Sequence, residues 1–310
     1  MSMIKNVIGD HLRAQSIRRH RSRLGRRDAP RYSRYLDHCR TVAGGAVPPA
    51  GDLASAVAEF TKNGVTSFQS PEGARVAAAM MKRLGERENS GEAVWENDIH
   101  EIGNHNYPGD LWNDFPELES LFRGPLGVFL SNYFGAHFKI LYGTLYRSVG
   151  GDRNPSGSQL WHSDSGPGIC VNVMYYLEDT APENGALQAL PWEHSLVLYL
   201  REPAEVRTRA QAEGLDPAGP ERRRITADYY DERIAERYND KVYQPTGNAG
   251  LIVPFLNNTL HRGGFPVPGR RRTAIVFHCY PSDSPTNFDR YRVSGIRKDA
   301  PYPTDPAEEF

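Results

Sequence analysis

The sequence predicts a mainly β protein with helical decorations, whose core is a double-stranded β-helix, the jelly-roll arrangement of two facing sheets. From residue 137 onward apolar and polar residues alternate, which is the period of a strand with one buried face. The run 169–177 is apolar almost throughout, as in a strand covered on both faces. Short segments of this kind are separated by Gly, Pro and Asn turns, a pattern that favours two sheets closed as a jelly roll.

The chain of 310 residues is long enough for one large domain. We predict an arginine-rich N-terminal extension and linker at 1–50 and a single domain at 51–310, with the jelly-roll core at about 136–282 and an insertion at about 201–240. The extension carries nine arginines: Arg13, Arg18, Arg19, Arg21, Arg23, Arg26, Arg27, Arg31 and Arg34. They indicate either an arm that binds an anionic partner or a solvated extension.

Helical patterns precede the core. Apolar spacing predicts helices at 53–62 and 71–84, the second with Ser70 as N-cap and proline at its first position, and a short strand at 65–68. A third helical pattern spans 117–134, and Gly124-Pro125 interrupts it. Its apolar stripe predicts packing on the outside of a sheet.

The core strands are predicted in chain order from alternation and β-branched content. They are 137–149, 169–177, 187–190, 196–200, 241–244, 251–255 and 273–280. The charged segments 204–214 and 228–238 favour helix within the insertion. The insertion is predicted either to cover the entrance to the active site, or to be a surface decoration or a dimer contact.

Composition is that of an ordinary globular chain. A net charge of −1 gives no reason to expect nucleic acid as a partner, and no stretch reaches the length of a membrane span. Three separated cysteines and the lack of a secretory pattern at the N-terminus predict a cytoplasmic protein with free thiols. An oligomer remains open.

The strongest chemical signal is His162-Ser163-Asp164 at the end of a predicted strand. Residues i and i+2 of a strand point the same way, so both side chains can reach one point in space. His261 follows the apolar run 251–255 and can supply a third ligand. Two histidines and one carboxylate on one face of a metal leave positions open, which is typical of non-haem Fe(II) oxygenases. A bare His-x-Asp also occurs as a hydrogen-bonded surface pair.

A cation and a pocket face accompany these residues. Arg272 lies eleven residues after His261 at the start of an apolar run. Its planar guanidinium can form two parallel hydrogen bonds with the far carboxylate of a bound dicarboxylic acid. Arg270 shares its strand parity and is the competitor. Asn172 and Met174 share one face of the strand after the His-x-Asp motif and are predicted to line the co-substrate, although an asparagine bonded to neighbouring backbone fits equally well.

The segment from about Phe138 to Tyr280 resembles the phytanoyl-CoA dioxygenase-like branch of the Fe(II)/2-oxoglutarate-dependent dioxygenases, which have a cupin-like jelly roll. Three blocks carry the resemblance: 159–164, the turn and strand 183–195, and 261–272. The second block has Trp192-Glu193 where the family usually has Gly-Ser. Gly263 stands where the family often has a small hydroxyl residue. His194 matches a family position that looks structural.

The resemblance implies the cofactors and the reaction. His162, Asp164 and His261 match the Fe(II) ligands, and Arg272 matches the residue that holds 2-oxoglutarate. It implies an oxidoreductase that uses Fe(II), 2-oxoglutarate and O2 to hydroxylate, or otherwise oxidise, an unactivated C–H bond of a small-molecule metabolite, releasing succinate and CO2. Retention of Asp164 favours hydroxylation over halogenation. The alternatives are a cupin-like metal-binding protein or isomerase that does not use 2-oxoglutarate, and an adaptor that binds an anionic polymer through the N-terminal arm.

Overall fold

A computed structural model describes residues 33–98, 103–151, 155–164, 170–216, 219 and 221–294. Most of the predicted extension, including eight of its nine arginines, lies outside these residues, as does His100. Residues 33–43 form a first helix, α1, in which Tyr35 and Cys39 are fully buried. The Tyr35 hydroxyl donates a hydrogen bond to the carbonyl oxygen of Pro281 at 3.2 Å, so this helix packs directly on the folded body.

Eight further helices are described. They are α2 (Ala54–Asn63), α3 (Pro71–Asn89), α4 (Leu111–Asp114), α5 (Leu118–Arg123), α6 (Pro125–Phe134), α7 (Trp192–Ala212), α8 (Arg222–Arg237) and α9 (Phe288–Ser294). The predicted cap of α3 is confirmed, because the Ser70 hydroxyl accepts a hydrogen bond from the Gly73 amide at 2.9 Å. The predicted interruption at Gly124-Pro125 is also confirmed, since α5 ends and α6 begins there.

The described strands, in chain order, are β1 (Glu96–Asn97), β2 (Asn104–Asn106), β3 (His137–Val149), β4 (Val171–Tyr176), β5 (Gln188–Ala189), β6 (Ile252–Leu256), β7 (His261–Arg262) and β8 (Arg271–Ser282). Six of them form one antiparallel sheet in the order β1-β2-β3-β8-β4-β6. At its centre β3 and β8 pair from His137 opposite Ser282 to Val149 opposite Arg271, with a bulge at Leu141. The central strands correspond to those predicted from alternation.

The second sheet is short and faces the first. Strand β5 pairs with β7, and single bridges extend this pair on both sides, His162 to His261 and Ala189 to Tyr243. From β3 onward, successive extended segments thus alternate between the long and the short sheet. The exception is β5 and Tyr243, which follow one another and both lie in the short sheet. This arrangement confirms the predicted double-stranded β-helix, with more helix around it than the sequence indicated.

Three clusters of buried apolar residues fix the two sheets and the segments that carry the predicted metal ligands. The largest joins the outer face of the long sheet to helices α1 to α6. A second lies between the sheets and includes Met174, Leu187 and Phe255. A third joins α7 and α8 to the residues that precede the two predicted histidine ligands. In the part of the chain that the structure describes, no helix has the length and hydropathy needed to cross a bilayer.

The predicted strand at 196–200 is wrong, because these residues lie inside α7. Five consecutive large residues look like a buried strand, yet only Leu196 and Leu198 among them are buried. Their buried neighbours, Ser195, Val206 and Ala210, continue with helical spacing. The helical part between β5 and β6 therefore begins at Trp192, and the boundary of the insertion at about 201 stays a prediction. Likewise, 65–68 and 241–244 contribute isolated bridges rather than strands.

Candidate metal centre

The two histidine segments are paired directly by backbone hydrogen bonds. The amide of His162 donates to the carbonyl oxygen of His261 at 2.9 Å, and the amide of His261 donates back at the same distance. Two positions further on, the Asp164 amide donates to the carbonyl oxygen of Asn257 at 2.9 Å. Residues almost one hundred positions apart in the sequence are therefore fixed side by side, as the sequence motif requires.

Each imidazole is oriented by a carbonyl of its own segment. Nδ1 of His162 lies 2.7 Å from the carbonyl oxygen of Leu160, and Nδ1 of His261 lies 2.7 Å from that of Thr259. A carbonyl oxygen only accepts hydrogen bonds, so the proton of each neutral ring sits on Nδ1. The Nε2 lone pairs are then available to bind a metal, and metal-binding histidines are usually oriented in this way by a hydrogen bond from the other ring nitrogen.

The three side chains converge on one point. Nε2 of His162 lies 3.6 Å from Oδ1 of Asp164, and Nε2 of His261 lies 3.7 Å from Oδ2. One ligand atom from each residue lies within 4.8 Å of those of the other two. Ligands held about 2.1 Å from a shared ion are separated by about 3.0–3.5 Å, so small side-chain adjustments suffice to hold one.

The electrostatics favour the ionisation states that metals require. Burial alone would raise the pKa of Asp164, but the imidazoles of His261 and His162 and a hydrogen bond from Asn172 outweigh it, and the pKa lies below its usual value. Burial, together with the neighbouring His162, lowers the pKa of His261 to about 4. At neutral pH the site therefore presents a carboxylate and a neutral imidazole, both of which can act as ligands.

This pKa predicts how the metal-free protein responds to acid. An unfolded histidine has a pKa of about 6.5, so between that pH and about 4 the unfolded chain binds a proton that folded His261 does not. Lowering the pH from 7 to 4.5 should therefore reduce the free energy of unfolding, with roughly 2–3 kcal/mol coming from this residue. Urea unfolding at both pH values measures the change. His261→Asn, which cannot take up the proton, should lose less stability than the wild type, and equal losses would contradict the assignment.

A cavity of about 230 Å³ lies beside the three ligands, between the two sheets. Asn172 and Met174 line it, as their shared strand face predicted. The Asn172 amide donates to Oδ2 of Asp164, so this residue touches a candidate ligand directly. The Tyr146 hydroxyl donates to the Met174 sulfur at 3.2 Å. Contact of either residue with a co-substrate stays a prediction.

Arg272 is buried at the far end of the same sheet face and is 3% exposed. Its Nη1 donates to the carbonyl oxygens of Gly185 and Gly264, and Nη2 donates to the Ser148 hydroxyl at 3.1 Å. Its Nε is buried without a hydrogen-bond partner among the described residues. A guanidinium donor left over in a buried place fits the recognition of a carboxylate.

The competing arginines face elsewhere. Arg270 is exposed, and the exposed Arg271 pairs with Glu178 at 3.0 Å. Gly263 sits against the guanidinium, since a Cβ built at this glycine would lie 3.3 Å from Nη2 of Arg272. The hydroxyl residue that the family often has at this place would therefore crowd the arginine. The geometry favours Arg272 over Arg270 as the carboxylate-binding residue.

Other lining residues were missed by the sequence reasoning. His278 lines the cavity and stacks on Tyr142 with ring centroids 3.9 Å apart. Strand parity could have found it, because positions 272, 274, 276 and 278 of β8 share a face. Asp98, Asn104 and Asn106 also line the cavity. Asp98 follows β1, and Asn104 and Asn106 belong to β2, and both strands are too short to predict.

Two further histidines lie away from this point. His105 is on β2 opposite Arg147, on the strand face opposite to Asn104 and Asn106. His194 contacts the Tyr238 ring at 5.0 Å and Glu193 at 3.5 Å, and does not line the cavity. Within the described ranges, His162, Asp164 and His261 are the group of such residues able to hold a metal ion.

Comparison with known proteins agrees with this geometry. The model of the phytanoyl-CoA dioxygenase family matches residues 154–273. The non-haem α-ketoglutarate-dependent carbocyclase SnoK from nogalamycin biosynthesis is similar in structure, with 19% identity, a TM-score of 0.51, and coverage of 84% of this chain and 95% of that chain. The epimerase SnoN, which is also α-ketoglutarate dependent, has 15% identity, a TM-score of 0.50, and coverage of 83% and 97%.

At this level of identity the structural similarity establishes a shared fold. No curated protein matches the chain significantly. The matched segment nevertheless contains all three candidate ligands and Arg272, in the order that the sequence motifs indicated. Residues 154–273 of this chain are therefore similar to the phytanoyl-CoA dioxygenase family over the segment that carries the candidate site.

Proposed function

We propose that this protein is an Fe(II)/2-oxoglutarate-dependent oxygenase that hydroxylates, or otherwise oxidises, an unactivated C–H bond of a small molecule. One observation carries the proposal. The ligand atoms of His162, Asp164 and His261 lie within 4.8 Å of one another, beside a cavity that runs between the two sheets. A 2-His-1-carboxylate set with open positions suits Fe(II) that binds a co-substrate and O2.

The roles of the residues follow from their contacts. Fe(II), when bound with 2-oxoglutarate and O2, supplies the oxidising power, and the products are succinate, CO2 and an oxidised substrate. His162 and His261 donate Nε2 lone pairs, while the carbonyls of Leu160 and Thr259 hold their rings in place. Asn172 orients Asp164 through its amide. Arg272 donates hydrogen bonds to the far carboxylate of 2-oxoglutarate in a buried place where charge-assisted hydrogen bonds are strong.

The lining of the cavity supports a particular kind of substrate. Asp98, Asn104 and Asn106 give one wall hydrogen-bonding groups and a negative charge, and the Asn106 amide donates to Asp98 at 2.8 Å. Leu187 and Phe255 line the cavity as apolar residues. We propose a small polar molecule that is neutral or positively charged, because a carboxylate in the wall disfavours an anion.

The type of oxidation is open to test. A carbocyclase and an epimerase share this fold, so the fold is compatible with outcomes other than hydroxylation. Asp164 keeps a carboxylate at the metal, where related halogenases have a small residue. We propose hydroxylation for this reason, in a cytoplasmic enzyme whose described cysteines are buried free thiols. Whether the protein forms an oligomer is left to measurement.

The alternative is a cupin-like metal-binding protein or isomerase that does not use 2-oxoglutarate. Buried Arg272 favours the oxygenase, since its Nε donor lacks a partner among the described residues and a diacid co-substrate would supply one. The two candidates differ in whether 2-oxoglutarate is consumed.

The decisive experiment is a metabolite screen read by mass spectrometry. Purified full-length protein is incubated anaerobically with Fe(II) and 2-oxoglutarate, then exposed to air with neutral, cationic and anionic candidates. We expect succinate formation that rises with one class of polar neutral or cationic compound, whose mass increases by one oxygen atom. Metal binding without any succinate, in the presence of compounds that bind the cavity, would favour the alternative.

A further inference from the structure

The helical pair α7 and α8 lies on the outer side of both metal-ligand segments. Trp161 and Leu260, the residues immediately before His162 and His261, are buried in one cluster with Leu198, Tyr229 and other residues of this pair. Neighbouring residues of an extended segment point to opposite sides, so each histidine faces the cavity while the residue before it faces the helices. The same two segments therefore carry the candidate ligands on one side and contact helices α7 and α8 on the other.

Helix α7 also makes polar contacts with the segment before His261. The Ser195 hydroxyl is fully buried, accepts a hydrogen bond from the Leu260 amide at 3.0 Å and donates to the Leu190 carbonyl at 2.6 Å. One turn later the Tyr199 hydroxyl donates to the Asn258 carbonyl oxygen at 2.9 Å. Because Ser195 and Tyr199 are four residues apart, they share one face of the helix.

Ser195 and Tyr199 therefore both contact the segment that leads to His261. Their contacts lie one and three residues before His261. The position of this segment, which pairs with His162 through backbone hydrogen bonds, sets where the three ligand atoms converge. None of the cavity-lining residues in the described chain comes from α7 or α8, so these helices act on the site through its backbone.

Helix α8 adds a weaker contact. The guanidinium of Arg262, next to His261, donates to Asp231 at 2.7 Å and to Gln188 at 2.6 Å, and it lies 4.8 Å from the Trp161 ring. The Asp231 side chain is 46% exposed, and exposed ion pairs contribute little. The hydroxyls of Ser195 and Tyr199 on α7 are therefore the stronger candidates for fixing the position of the segment before His261.

We propose that Ser195 and Tyr199 are positioning residues that set the geometry of the metal centre, with helix α7 acting as a rigid brace behind the ligands. This inference rests on the metal-binding role proposed above, and it does not depend on which reaction follows. Removal of a partner that orients a ligand typically weakens metal binding 10- to 100-fold. These hydroxyls act one step further out, through the backbone, so we expect about 10-fold.

Cobalt(II) binding to the full-length protein provides the test. Co(II) replaces Fe(II) because its visible absorption reports coordination geometry and it resists oxidation. Tyr199→Phe removes only the hydroxyl, and Ser195→Ala removes the second contact. The matched control is Tyr229→Phe, whose hydroxyl lies in the same cluster and bonds, at 3.4 Å, to the Leu198 carbonyl within the helical pair. Affinity is measured by calorimetry, and metal-free thermal stability is measured in parallel.

We expect Tyr199→Phe and Ser195→Ala to bind Co(II) about 10-fold more weakly and with altered absorption, while Tyr229→Phe keeps the wild-type affinity and spectrum. A purely structural role would lower the thermal midpoints of all three variants without changing the spectrum. Wild-type affinity and spectrum in both α7 variants would overturn the inference. Failure of the wild type to bind any metal would instead overturn the proposed function.

Thermodynamic linkage between the metal site and α7 gives a second test, which can be made on the wild-type protein by hydrogen exchange. If α7 stabilises the metal site, then metal binding stabilises α7 by the same free energy. Co(II) should therefore slow hydrogen exchange of the amides of α7 in the wild type, and slow it less in Tyr199→Phe. Unchanged exchange across α7 on metal binding would also overturn the inference.

Discussion

Asp164→Ala is expected to abolish metal binding and, with it, 2-oxoglutarate turnover. The substitution removes the anionic ligand that lies 3.6 Å and 3.7 Å from the two imidazole nitrogens. Two neutral imidazoles do not offset the cost of taking a divalent cation out of water. Loss of an outer partner already costs 10- to 100-fold in affinity, so loss of the ligand itself should exceed about 100-fold. Calorimetry with Fe(II) under argon and succinate formation measure both effects.

The fold should survive this substitution. The Asp164 side chain is 31% exposed, and it leaves behind the Asn172 amide, which can turn toward water in the cavity. Asp228→Ala, at an exposed carboxylate on α8, is the matched control and should bind metal as the wild type does. Stoichiometric Fe(II) binding by Asp164→Ala at wild-type affinity would remove this residue from the ligand set and end the case for the 2-His-1-carboxylate site.

The candidate metal site was predictable because local geometry carries most of it. Strand parity places His162 and Asp164 on one side, and this holds whatever the rest of the chain does. The partner His261 is not fixed by local geometry. Its place depends on the backbone pairing with His162, which the sequence indicates only through the resemblance of three blocks in order.

The long strands were predictable for a similar reason, and the short ones were not. Strands β3 and β8, of 13 and 12 residues, carry enough alternation to identify a buried face. Strands β1, β5 and β7 have two residues each, so their sequences carry no period. They form because they pair with a longer neighbouring strand or with a single bridging residue. Pairing with a remote segment cannot be predicted from a short stretch of sequence.

Helix α7 illustrates the opposite failure. Its run Leu196-Val197-Leu198-Tyr199-Leu200 satisfies the criteria for a buried strand, since short apolar runs do not separate strand from helix. The flanking residues decide, because Ser195 and Val206 are buried at helical spacing while Arg201 between them is exposed. A window longer than five residues was required. Ser195 and Tyr199 contact the backbone of Leu260 and Asn258, just before His261. These contacts could not be predicted from the sequence, because they join remote parts of the chain.

Arg272→Leu is expected to weaken 2-oxoglutarate binding by about 2–4 kcal/mol, or about 30- to 1,000-fold in Kd. The far carboxylate would lose a bidentate, charge-assisted partner and remain buried. Stability should fall as well, because the side chain donates to the carbonyl oxygens of Gly185 and Gly264 and to the Ser148 hydroxyl. Calorimetric titration of the metal-loaded variant with 2-oxoglutarate measures the affinity, and thermal unfolding measures the stability.

The two effects are expected to separate, because Arg272 is not one of the three candidate metal ligands. If Arg272 acts on the co-substrate, then Arg272→Leu keeps its affinity for Fe(II), since Arg272 is no ligand, while it loses affinity for 2-oxoglutarate. Arg270→Leu, at an exposed position on the same strand parity, should retain both. Arg272→Lys keeps the charge but not the fork, so it should recover only part of the lost affinity. Unchanged 2-oxoglutarate binding in Arg272→Leu, with loss of binding in Arg270→Leu, would transfer the role to Arg270.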